Sequence, residues 1–314
     1  MSDATIEEVL TGTRRNALLV GDCLDGLRSL PDGCVQTCVT SPPYFRLRDY
    51  GMDGQIGQEE TPHEFVAALV AVFNEVRRVL ADDGTLFLNL GDSYAATKAP
   101  DGLKPKDLIG VPWMVAFALR DAGWWLRSDI VWHKPSTMPE SVTDRPTRAH
   151  EYVFLLTKRE MYFYDADAIK EPSVMKPQNR LTARAEHPKG DTGRSMHLRP
   201  EGGTSYNSRN ARSVWNVPTD SFDGAHFATM PPELARRCIL AGSRRGDVVL
   251  DPFAGAGTTA LVAVGNGRRA IGCELNPEYA RIALDRVAAV DTDAAEPVRV
   301  DAPQWGDLFA AVGS

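Results

Sequence analysis

Asp251-Pro252-Phe253-Ala254-Gly255-Ala256-Gly257-Thr258-Thr259 is the stretch on which the fold of this chain turns. The β-forming run at 247–251 predicts a strand, and the small and apolar residues from Thr258 predict a helix, so both glycines fall in a strand-to-helix loop. A second predicted strand, 270–274, ends on Glu274, 23 residues after Asp251. Glycines let backbone approach a ligand closely, and a helix N-terminus offers unpaired N–H groups to an anion. An acid that closes the neighbouring strand accepts hydrogens from both ribose hydroxyls. The arrangement predicts a nucleoside-cofactor site. The loop lacks the third glycine of the dinucleotide fingerprint, which leans away from NAD, but on spacing alone NAD and S-adenosylmethionine both stay open.

Outward from this loop, strand and helix patterns alternate. Strands are predicted at 18–21, 35–40, 85–90, 129–133 and 152–157, with 161–164 extending the sheet or forming a hairpin. Helical periodicity covers Leu24, Leu27 and Leu30, then 111–119, 232–241 and 277–289. The longest helix begins at Thr61 as N-cap with Pro62 in its first turn and carries Phe65, Leu69, Val72, Val76 and Leu80 on one face. Such alternation predicts an α/β domain with a mostly parallel sheet, whose ligands sit at the carboxyl ends of the strands. Between 171 and 217 the pattern gives way to Pro, Gly, Asn, Ser and Arg, a long loop or small module.

With 314 residues, 43% hydrophobic and 25% charged, the chain is expected to bury one large core and carry a smaller appended module. No apolar run approaches the ~18 residues of a membrane span, and the acidic start at Asp3, Glu7 and Glu8 is unlike a signal peptide, so a cytoplasmic, membrane-free protein is expected. The five cysteines, Cys23, Cys34, Cys38, Cys238 and Cys273, form no disulfide framework, and no second pair completes a metal site beside the Cys34 and Cys38 spacing. The net charge of −7 argues against a nucleic-acid partner until its distribution is considered. Residues 171–217 hold eight Lys/Arg against four Asp/Glu, net +4, while the rest of the chain is net −11.

A second unusual strand end is Thr40-Ser41-Pro42-Pro43-Tyr44. Two consecutive prolines fix φ and remove two N–H donors, which makes a stiff turn rich in acceptors. An exocyclic base amine is a poor nucleophile until acceptors hold its hydrogens and its nitrogen pyramidalises. Ser41 Oγ and the Pro42 carbonyl are suited to accept those hydrogens, and Tyr44 to stack an extruded base.

DPFAGAGTT followed by GCELNP resembles motifs I and II of the amino-methylating DNA methyltransferases, and TSPPY resembles their [DNS]PP[YF] motif. The resemblance implies S-adenosyl-L-methionine as cofactor, with Asp251, Pro252, Phe253, Gly255, Gly257 and Thr258 around it and Glu274, with Leu275, at its ribose. Gly21-Asp22-Cys23 resembles motif III, which implies Asp22 at the cofactor adenine amine with Cys23 beside it. His226-Phe227-Ala228-Thr229 resembles motif X and implies Phe227 at the methionine end. Ser41, Pro42, Pro43 and Tyr44 become the catalytic set, with Ser in the first position typical of cytosine-N4 enzymes and adenine-N6 the alternative. The catalytic motif precedes the cofactor loop by some 210 residues, the order of the β class. That order implies a circularly permuted Rossmann-like methyltransferase fold with a mostly parallel seven-stranded sheet, helices on both faces and a small target-recognition insert. The implied division is 1–170 catalytic half, 171–217 recognition region, 218–290 cofactor half and 291–314 tail. Lys134, Arg180, Arg184, Arg194, Arg199, Arg209 and Arg212 are then the expected contacts to double-stranded DNA. A homodimer and a cognate restriction endonuclease are the partners this class implies, with no metal. A protein or small-molecule amine methyltransferase is the more remote alternative.

Overall fold

Local chemistry sets the N-terminal half. Thr61 Oγ1 accepts from Glu64 N at 3.0 Å while Glu64 Oε2 accepts from Thr61 N at 3.0 Å, a reciprocal cap that starts the helix Pro62–Val79. Its Phe65, Leu69, Val72, Phe73 and Val76 are fully buried, and each such side chain is worth about 1.5–3 kcal/mol over leaving it in water. The computed structural model describes residues 3–96, 103–173, 208–219 and 230–290.

In chain order the described elements are α1 (Asp3–Thr11), β1 (Asn16–Val20), α2 (Cys23–Arg28), β2 (Val35–Thr40), α3 (Pro62–Val79), β3 (Leu80–Leu90), α4 (Val111–Asp121), β4 (Trp125–His133) and β5 (His150–Thr157). There follow β6 (Glu171–Pro172), β7 (Ser208–Arg209), β8 (Val214–Asn216), α5 (Pro232–Gly242), β9 (Val248–Asp251), α6 (Thr258–Gly265), β10 (Arg269–Glu274) and α7 (Pro277–Ala288). One sheet runs β1-β10-β9-β2-β3-β5-β4-β8. The pairs from β1 through β3 are parallel, β5 is antiparallel to both its neighbours, and β8 is parallel to β4. The carboxyl ends of β1, β10, β9, β2 and β3 therefore lie along one edge, and β9, late in the sequence, sits beside β2, early in it. Helices α2, α3 and α4 pack on one another, and α5, α6 and α7 form a second such set. The result is an α/β fold with a mostly parallel sheet and helices packed in two sets.

Several details differ from the sequence expectation: α1 and the β6–β7 pair lie outside the expected elements, and β3 begins at Leu80, which the helical pattern includes, rather than at 85. The main sheet has eight strands rather than seven, because β8 adds to β4. Trp215 on β8 is buried, Trp132 Nε1 donates to the Val217 carbonyl at 2.8 Å, and the edge of β4 is thereby covered. Residues 161–164 form no strand: β5 ends at Thr157, whose hydroxyl bonds the Arg159 carbonyl at 2.8 Å, and Phe163 N bonds the Asp83 carbonyl outside any ladder.

The chain divides into two compact units, one within Met1–Asp165 and Arg212–Ser314, the other within Ala166–Ala211. The second contains the antiparallel pair β6 and β7, across which Arg209 Nε meets Glu171 Oε1 at 3.1 Å. Among the described residues, no helix is long and apolar enough to cross a membrane.

Candidate active site

The predicted cofactor loop and the Thr40–Tyr44 turn border one cleft at the carboxyl edge of the sheet, which Ser41 and Pro43 line and which Pro42, Tyr44 and Gly257 do not. It is lined by Gly21, Asp22 and Cys23 after β1, by Ser41 and Pro43 after β2, by Asp251, Pro252, Phe253, Gly255 and Thr258 after β9, and by Glu274 and Leu275 after β10. Gly255 and Gly257 have φ of 53° and 78°, conformations that favour glycine. A Cβ at Gly257 would also come within 2.7 Å of Ala283 Cβ on α7, so the loop sits directly on that helix. Arg286 on the same helix is buried and donates to the Ala256 carbonyl at 2.5 Å.

Glu274 is pre-set by backbone: Oε2 accepts from Gly255 N at 2.7 Å and Oε1 from Asn276 N at 2.8 Å. Each oxygen keeps a second lone pair, which suits a vicinal diol. Burial pushes its carboxyl above the ordinary value, against those two bonds. Asp22 caps α2, its Oδ1 accepting from Leu24 N at 2.8 Å and Asp25 N at 3.2 Å, so one oxygen is committed to the helix and Oδ2 is left over. Burial raises the Cys23 thiol to about 12, which keeps it protonated and unreactive.

Asp251 joins the two loops. Its Oδ1 accepts from Thr40 Oγ1 at 2.7 Å and from Phe253 N at 3.1 Å, and Thr259 Oγ1 donates to the Val39 carbonyl at 3.2 Å. Burial raises the Asp251 carboxyl, partly countered by the Thr40 hydroxyl.

On the other side of the Pro-Pro turn, Tyr44 packs against Gly91, where a Cβ would come within 2.5 Å of its ring. The Tyr44 hydroxyl donates to Glu151 Oε2 at 2.6 Å, and Ser41 Oγ lies 3.4 Å from it. Burial, then the Glu151 charge, hold the phenol well above its usual range, so it stays a donor. Lys134, expected at DNA, pairs with Glu151 and sits 4.4 Å from the Trp132 ring centroid. Arg209 is paired with Glu171, and Arg212 lies at the start of the segment leading to β8. Phe227, Arg180, Arg184, Arg194 and Arg199 fall outside the described residues.

The sequence reading missed several residues of the site. Arg48, Tyr50, Met52, Gln55 and Ile56 from the loop after Tyr44, with Tyr279 from α7, also line the cleft, and the Tyr50 and Tyr279 rings meet edge-on at 6.4 Å. Only the aromatic and glycine content of 50–57 hinted at them. Asn89, Asp92 and Glu151 were missed too. Asp92 Oδ1 accepts from Ser93 N, Gly110 N and Val111 N, fixing the start of α4. The signal for it was a Gly-Asp pair directly after a strand, as at Gly21-Asp22.

The DNA methylase family profile for N6 and N4 enzymes matches residues 35–285. The Type II methyltransferase M.XycI of Xanthomonas campestris pv. cyanopsidis is 50% identical over 294 residues, covering 87% of this chain and 88% of that protein. A structure described as a DNA modification methylase of Thermus thermophilus, complexed with S-adenosyl-L-methionine, is 30% identical with a TM-score of 0.59, covering 90% of this chain and 98% of that one. The PvuII cytosine-N4-specific DNA methyltransferase, 20% identical, shares the fold with a TM-score of 0.62 over 95% of this chain and 93% of its own. S-adenosyl-L-methionine is thus the cofactor, and the donor set of the cleft suits it: a carboxylate with free lone pairs, an opened glycine loop and a helix N-terminus. On these grounds the chain belongs to the N6/N4 DNA methylase family.

Proposed function

We propose that this chain methylates N4 of cytosine at a defined sequence in double-stranded DNA, after extruding the target base from the duplex. The observation that carries this reading is Ser41 at the cleft edge, followed by a carbonyl-rich Pro-Pro turn and held beside the cofactor loop through Thr40 and Asp251. Ser41 Oγ and the Pro42 carbonyl accept the two amine hydrogens and stabilise charge developing on nitrogen, an effect worth roughly 2.7–4 kcal/mol per group by analogy with an oxyanion donor. The Tyr44 ring supports the extruded base. Glu274 holds the ribose, Asp22 Oδ2 meets the adenine amine, and Asp251, Phe253, Gly255 and Gly257 enclose the methionine end. When bound, S-adenosylmethionine supplies an electrophilic methyl group. Ser rather than Asp ahead of Pro-Pro-Tyr favours cytosine over adenine, and the basic segment 171–217 supplies DNA contacts. The Type II name of M.XycI supports a restriction endonuclease of matching specificity as a cytoplasmic partner.

Purified protein incubated with mixed-sequence duplex DNA and labelled S-adenosylmethionine, followed by nucleoside mass spectrometry, tests this. N4-methylcytosine is expected. N6-methyladenine would move the target to adenine with the same site, and an absence of any methylated nucleoside would overturn the DNA assignment in favour of a protein or small-molecule amine.

A further inference from the structure

Behind the Thr40–Tyr44 turn lies a cluster that no role above uses. Glu151, at the start of β5, is opposite Trp132 on β4, and Asn89 lies near the end of β3, so three adjacent strands deliver their side chains to one point. Asn89 Nδ2 donates to Glu151 Oε2 at 3.1 Å and to the Tyr152 carbonyl at 3.1 Å. Lys134 pairs with the other carboxylate oxygen, Oε1, over the Trp132 ring, and Trp132 is itself fixed through the Val217 carbonyl. Lys134 and Glu151 side chains are only 20% and 14% exposed, so neither is a mobile surface group.

A carboxylate only accepts hydrogen bonds. The Tyr44 hydroxyl faces two acceptors, Glu151 Oε2 at 2.6 Å and Asn89 Oδ1 at 3.3 Å; the shorter, charged contact takes its one proton, and the phenol oxygen then serves Ser41 only as an acceptor. Ser41 in turn points its hydrogen at Tyr44, 3.4 Å away, and presents its lone pairs elsewhere. The same bond tethers the far end of a ring whose one side rests on Gly91. We propose that Glu151 is a positioning residue that acts through Tyr44: it locks the ring on which the base rests and sets the direction of the hydroxyl chain, leaving Ser41 an acceptor. Lys134 and Asn89 hold the carboxylate in place. This rests on the amine-accepting role of Ser41 proposed above.

The test is a double-mutant cycle of Glu151→Gln and Tyr44→Phe, read as single-turnover methyl transfer to mixed-sequence duplex DNA, with cofactor affinity by calorimetry. Wild-type transfer is measured first, so failure of the methylation reading shows there and failure of the Glu151 role shows in the cycle. Each single variant is expected to slow transfer roughly ten- to a hundredfold, the scale of a lost charge-assisted hydrogen bond. The double variant should be no slower than the slower single within about twofold, and cofactor affinity should be unchanged in all three. Wild-type transfer in Glu151→Gln, or an undiminished effect of Glu151→Gln in the Tyr44→Phe background, would overturn the proposal. Should Glu151→Gln fail to fold, Tyr44→Phe alone must still slow transfer at unchanged cofactor affinity, and a wild-type rate in it would overturn the proposal equally.

Discussion

The cofactor side of the cleft and the base side are built on different principles. On the cofactor side, backbone does most of the positioning: Gly255 N and Asn276 N orient Glu274, and a tight helix contact at Gly257 shapes the loop. On the base side, side chains from β3 and β5, Asn89 and Glu151, meet the Tyr44 phenol, Lys134 just past β4 pairs with Glu151, and backbone contributes chiefly the Gly91 wall. Thr40 and Asp251 bridge the two sides. A site organised this way should let cofactor affinity and methyl transfer be altered separately, except at the bridge.

Removing the Ser41 hydroxyl is the strongest way to sharpen that division. Ser41→Ala is expected to lower turnover by roughly 10²–10³, the scale of losing one pre-placed group at a developing charge, with cofactor affinity nearly unchanged by calorimetry. Glu274→Ala should do the reverse. It removes charge-assisted bonds worth ~1.5–3 kcal/mol, so the cofactor Kd should rise by an order of magnitude or more, while turnover recovers at saturating cofactor. Thr40→Val is aimed at the bridge. It leaves buried Asp251 short of one donor, and a loss of about 1–3 kcal/mol should appear in the thermal midpoint together with declines in both affinity and turnover. A Thr40→Val variant that changed only one of the two functions would break the idea of a shared strut.

The smallest effect concerns pH. Burial holds the Asp251 and Glu274 carboxyls above their ordinary values. Raised folded values mean that these groups add stability below the ordinary carboxylate range and lose it as pH rises through the raised values. Asp251→Asn keeps an acceptor for Thr40 Oγ1 and Phe253 N but removes the buried charge. Its thermal midpoint near neutrality should match or exceed wild type by about 2–4 °C per kcal/mol gained, with a shallower decline from about pH 4 upward. A steeper decline than wild type would contradict the burial argument.

The same division explains what was legible in the sequence. The loop at 251–259, the cap at Thr61 and the acid at Glu274 are written in contiguous residues, because glycine, helix termini and strand ends leave local marks. The parallel core followed from alternation of strand and helix patterns. Nothing near Glu151 marks it as a neighbour of Tyr44, since their meeting depends on the β3–β5–β4 register over 107 positions of chain. The pairing of Lys134 with Glu151 left no mark in the sequence, because a basic residue after a strand looks the same whether or not an acid of the neighbouring strand meets it. The eighth strand was invisible because Val214-Trp215-Asn216 is too short for a period and ends a polar segment, and its place is set by Trp132 and Trp215.

The most direct test of the two-sided account is calorimetric titration of S-adenosylmethionine into Tyr44→Ala beside methyl transfer to duplex DNA by the same preparation. Cofactor affinity close to wild type with transfer greatly reduced is the predicted result. Loss of cofactor affinity in step with transfer would contradict it, because the base side would then be shaping the cofactor site that the account assigns to backbone and to Glu274.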